Sequence, residues 1–72
     1  MTLRDALEGV QYFVGQINTG DDELNSFLFS LGCYSGEPIT VVAHRKSGCT
    51  VSIKDSRYSF DKNLTGAIEI NK

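Results

Sequence analysis

Hydrophobic positions along the chain change period twice. Residues 10–17 are rich in β-branched and aromatic side chains, with Val10, Tyr12 and Val14 on one parity and Phe13 and Ile17 on the other. A strand that changes parity needs a bulge, and the isolated Gly15 is the natural place for one. The period then becomes helical: Leu24, Phe27, Leu28 and Leu31 fall at i, i+3, i+4 and i+7, which predicts one stripe facing the core. Phe29 falls on the far side of that stripe. The acidic turn at 18–22 predicts a capped helix start, with Asp21, Asp22 and Glu23 at the positive end of the helix dipole.

Gly32 stands where a helix ending at Leu31 calls for a left-handed residue, and Gly36 and Pro38 mark the start of the next strand. This hinge, 31–39, separates the helical period from a β period. Residues 39–45 and 49–54 read as two strands joined by Lys46-Ser47-Gly48, a three-residue loop with glycine last. That loop predicts a register in which Arg45 opposes Cys49, Ala43 opposes Val51 and Val41 opposes Ile53. Cys49 then faces inward and His44 outward.

Asp55-Ser56 predicts a second turn, residues 57–60 a short strand, and 61–65 a single helical turn capped by Asp61 and ended by Gly66. Residues 67–70 supply a last strand, and residues 1–9 a lead-in of one helical turn or a tucked loop. Five short strands with one short helix predict a mainly β fold, a small, partly open SH3-like β-barrel, forming a single domain over residues 1–72.

Composition narrows the function classes more than it selects one. With 72 residues, 40% hydrophobic and 22% charged, the chain is long enough for one compact core and too apolar for a disordered tail. A net charge of −2 argues against a general nucleic-acid binder. The charge is uneven: residues 1–37 hold only Arg4 against six acids, and residues 38–72 hold six bases against three acids. No apolar run approaches a membrane span or a signal-peptide core, so a cytoplasmic protein with two reduced thiols is the expectation.

The one histidine, His44, has no carboxylate placed beside it by sequence, and no nucleophile elbow or phosphate-binding loop is present. An enzyme is not expected. Cys33, His44 and Cys49 are the right types for a zinc-like ion, but the cysteines stand sixteen apart and the predicted register points His44 and Cys49 to opposite faces. Ordinary buried thiols are expected instead.

Several features together carry a resemblance over nearly the whole length. Gly9, Val14 and Ile17 mark the first strand, and an acidic turn leads into Leu24, Leu28, Leu31-Gly32 and Gly36. The hairpin 39–54 and the closing block Arg57-Tyr58-Ser59-Phe60, Leu64, Ile68-Glu69-Ile70 follow. With L-G-x-x-x-G set between the leucine stripe and an apolar strand, the chain resembles the FeoA family, small cytoplasmic SH3-like proteins associated with bacterial ferrous iron uptake. Cys33, Ser35 and the aromatic Tyr58-Ser59-Phe60 strand depart from the family's usual pattern.

The resemblance implies a non-enzymatic accessory protein without a cofactor, whose partner is FeoB, a membrane transporter with a cytoplasmic GTP-binding domain. It carries no catalytic or metal residues onto this sequence. Aromatic content and predicted exposure point to Phe29 and Tyr34 as anchors of a partner-binding surface, with Arg45, Lys46 and Arg57 as rim charges. Neither nucleic acid nor membrane insertion is expected. Two alternatives belong to other classes: the SH3-like module of an iron-dependent repressor, and a small metal carrier built on Cys33, His44 and Cys49. The first calls for an upstream winged-helix reader, which is not expected in a chain beginning at Met1.

Overall fold

Five antiparallel strands form one curled sheet in the order β4-β3-β2-β1-β5, where β1 is Gln11–Ile17, β2 Pro38–Arg45, β3 Gly48–Ile53, β4 Ser56–Asp61 and β5 Ile68–Asn71. The structure, a computed structural model, describes all residues 1–72. A 3₁₀ turn, Leu3–Asp5, precedes the sheet; α1 (Asp22–Leu31) joins β1 to β2, and α2 (Lys62–Ala67) joins β4 to β5. The outer strands β4 and β5 do not pair, so the sheet curls without closing, the SH3-like, partly open arrangement expected from the sequence.

The concave face supplies the core. Tyr12 and Val14 of β1, Ile39 and Val41 of β2, Val51 and Ile53 of β3 and Ile68 and Ile70 of β5 are all buried, closed over by Leu3, Leu28 and Phe60. Burying each such side chain contributes roughly 1.5–3 kcal/mol before chain entropy is subtracted. The β1 parity change is present: Tyr12 and Val14 point inward, Phe13 is exposed, and the pairing with β5 shifts register between Val14 and Ile17. Both helix starts are capped as expected. Asp21 accepts from the N–H groups of Glu23 and Leu24, and Asp61 from that of Leu64.

Four local expectations are corrected. Of the α1 stripe only Leu28 is fully buried; Leu24 and Leu31 are half-buried and Phe27 is 52% exposed, because the helix meets the core through its second half, where Leu28 enters it and Leu31 packs against it. The β2–β3 loop has two residues, Lys46 and Ser47, so Arg45 pairs with Gly48 and His44 directly opposes Cys49. A bulge between Val41 and Ala43 shifts the pairing by a further residue, so Ala43 opposes Thr50, not Val51, and Val41 opposes Val51, not Ile53, which returns two core residues to facing positions. The β3–β4 turn sits one residue earlier than expected, on Lys54 and Asp55, both with positive φ as a twisted two-residue hairpin requires. Gly66 lies inside α2, which continues to Ala67.

Gly48 is required by close approach: a Cβ there would overlap the Phe60 carbonyl oxygen. The β3–β4 ladder therefore has room for backbone alone at this point.

Candidate functional site

The hinge between α1 and β2 is the most elaborately fixed part of the surface. Leu28 and Phe29 carbonyls accept from the N–H groups of Cys33 and Gly32, the paired bonds that end a helix on a left-handed residue, and Gly32 has φ 94°. Beyond the cap the chain is tied to β1, with Gly36 N–H donating to Val14 and Val14 N–H to Glu37.

Lys54, from the β3–β4 turn, lies across the cap. Its stem occupies the space that a side chain on Gly32 would need, and its Nζ is 2.8 Å from Glu37 Oε1. No basic residue stands in the last turn of α1 itself, so Lys54 brings a cation to the negative end of that helix. The hydrogen bond from Lys54 holds the Glu37 carboxyl below its usual range, and the neighbouring Tyr34 phenol acts in the same direction. Hydrogen bonding to Glu37 and that residue's charge raise the Tyr34 phenol in turn.

The Tyr34 ring stacks on Phe29, with centroids 4.6 Å apart and planes inclined by 29°. Phe29 is 64% exposed. The pair forms one wall of an open groove of about 510 Å³ whose other side is the β1 bulge at Gly15, Gln16 and Ile17. Asn25 and Ser35 add polar groups, and buried Cys33 contributes to its floor.

The three candidate metal ligands do not converge, and no group of three or more His, Cys, Asp and Glu side chains comes together in ligating range. His44 and Cys49 are cross-strand partners because the two-residue loop shifts the register by one, while Cys49 is buried and His44 exposed as expected. The His44 ring is taken up structurally: Nε2 lies 2.6 Å from the Ala6 carbonyl, which only accepts, so Nε2 carries the proton. Both cysteines are buried and unpaired. Burial pushes the Cys33 thiol up to about 11 and raises that of Cys49, so both are neutral thiols at pH 7.

Of the five residues expected at a partner surface, Phe29 and Tyr34 are brought together. Arg45 and Lys46 stand exposed on the β2–β3 hairpin and Arg57 on β4, outside the groove. Glu37 and Lys54 were not expected there, since nothing in their spacing of seventeen residues announces the pair.

The FeoA domain family model matches residues 1–72, the whole chain. The chain belongs to the FeoA family. That family is one of small accessory proteins of ferrous iron transport. The fold agrees: the crystal structure of an iron uptake regulatory protein, FeoA, superposes with a TM-score of 0.86 at 24% identity, covering 99% of this chain and 95% of that one. The solution structure of iron(II) transport protein A from Clostridium thermocellum gives 0.87 at 22% identity, covering 99% of this chain and 44% of that one. The repressor ScaR with bound Cd2+ gives 0.85 at 16% identity, with all of this chain matching 35% of ScaR. No curated protein sequence matches the chain. No helix in this FeoA-family chain is long and apolar enough to cross a membrane.

Proposed function

We propose that this FeoA-family chain is a cytoplasmic, non-catalytic accessory protein of bacterial ferrous iron uptake. It docks on the cytoplasmic part of an FeoB-type membrane transporter through the hinge and the exposed side of α1. The observation that carries the reading is the Phe29–Tyr34 stack on the rim of the 510 Å³ groove. Aromatic residues fixed before binding lose little side-chain entropy on association and are the commonest anchors at protein interfaces. Arg45, Lys46 and Arg57 act farther out, affecting encounter rate more than affinity.

The carrier alternative has less support. Two buried, neutral thiols and a histidine already hydrogen-bonded to a backbone carbonyl make a poor donor set for a divalent ion. The test is binding of the purified chain to a purified FeoB-type transporter, comparing the native protein with Phe29→Ala and Tyr34→Ala. Loss of binding in both variants supports the surface; unchanged binding in both removes it.

A further inference from the structure

A second concavity, of about 190 Å³, opens between the β2–β3 hairpin, the lead-in turn and α2. Arg4, Arg45 and Lys62 line it from three different elements, together with His44. None of these cations has a carboxylate partner, because the molecule's one ion pair is Lys54–Glu37. Three acids lie close in sequence or contact, and each is engaged by a backbone N–H: Asp5 by Thr2, Glu8 by His44 and Asp61 by Leu64. No carboxylate lines the cleft.

Both arginines are oriented before any ligand arrives. Arg4 Nε and Nη2 donate to the Lys62 carbonyl at 2.9 and 2.6 Å, and Arg45 Nε donates to Thr50 Oγ1 at 3.2 Å. Nη1 of Arg4 and both Nη groups of Arg45 remain without a protein acceptor. The Arg4 guanidinium lies flat against α2 at Gly66, where a Cβ would stand 2.7 Å from Cζ. Glycine is a poor helix former, so its presence inside this short helix matches the space that Arg4 occupies.

We propose that this cleft binds a phosphoryl group, either free inorganic phosphate or the terminal group of a small phosphate ester. Guanidinium forks match the spacing of phosphate oxygens. Two guanidiniums arriving from different elements suit a tetrahedral oxyanion, whereas a planar carboxylate satisfies one fork and leaves the other unpaired. The cleft, about 190 Å³ and open to solvent, has room for a phosphoryl group while the rest of an ester projects outward.

The test is a titration of the ¹⁵N-labelled full chain at low ionic strength with inorganic phosphate, glycerol 3-phosphate and acetate. Saturable amide shifts confined to residues 45–48, Lys62 and the lead-in turn are expected with one or both phosphates. A response to inorganic phosphate alone assigns the free ion, and a response to both assigns the phosphoryl group of an ester as well. Arg45→Gln, which changes an exposed side chain, weakens binding about tenfold, as loss of a charge-assisted contact does, and Lys62→Gln acts in the same direction. Arg57→Gln on β4 leaves binding unchanged. Shifts that are absent, spread over the whole surface, equal for acetate and phosphate, or insensitive to both Arg45→Gln and Lys62→Gln overturn the assignment.

Discussion

Phe29 and Tyr34 stack face to face, 4.6 Å between centroids, across the cap that ends α1. Phe29 belongs to the last full turn of the helix and Tyr34 to the hinge, so the contact forms only because Gly32 reverses the chain between them. Such pairs contribute about 0.5–1.5 kcal/mol beyond the area they cover. The same contact fixes the shape of a surface that is otherwise open to solvent.

The clamp beneath this pair gives the fold a pH dependence of definite sign. The folded state lowers the Glu37 pKa, so its contribution is present above the unfolded glutamate range and is lost as pH falls through the folded value. Lys54 and Tyr34 are raised, so their contributions are present below their unfolded values and are lost as pH rises through the folded ones. Thermal melts across acidic pH should show a steeper acid limb for the native chain than for Glu37→Gln.

The two phenylalanine-and-leucine neighbours of α1 should behave oppositely on truncation. Leu28 is 0% exposed, and Leu28→Ala should cost about 2–5 kcal/mol, a fall in melting temperature of roughly 10 °C or more. Phe27→Ala should stay within about 0.5 kcal/mol. Denaturant unfolding of the two variants checks both values.

Gly48→Ala should be among the most damaging single changes in the sheet. A methyl group there meets the Phe60 carbonyl in a ladder with no slack, and the residue also holds φ 154°. A loss of about 2–4 kcal/mol is expected, read from the denaturant midpoint.

The cysteines should be silent in the folded protein. At pH 8, iodoacetamide should add nothing to the native chain and two labels after denaturation, since Cys33 titrates at about 11 and both thiols are buried. Intact mass measurement counts the labels, and labelling of the folded chain at the unfolded rate would contradict the burial.

Features written in local chemistry were legible from the sequence. Asp21 and Asp61 cap the helices they precede, Gly32 ends α1, and the parity change around Gly15 coincides with a real register shift. What stayed hidden depends on partners distant in the chain. The bulge between Val41 and Ala43 adds a further one-residue shift to that of the tighter loop, and the two together leave the burial pattern unchanged, so alternation alone does not reveal them. Phe27 looks like a core residue by period because nothing local tells how deeply a helix docks. At the site, Phe29 and Tyr34 were visible as candidate anchors, and Phe29 is indeed exposed, while the half-burial of Tyr34, the stacking and the Lys54–Glu37 clamp require the folded hinge.

The proposed docking of this FeoA-family chain on an FeoB-type transporter rests on the aromatic wall at the hinge. Equilibrium binding of the purified chain to a purified FeoB-type transporter tests it directly, with Phe29→Ala and Tyr34→Ala measured beside the native protein and their folds checked by circular dichroism. Each folded variant should bind about tenfold more weakly or worse, as expected for anchor residues. Native affinity in both variants would rule out the aromatic wall as the docking surface.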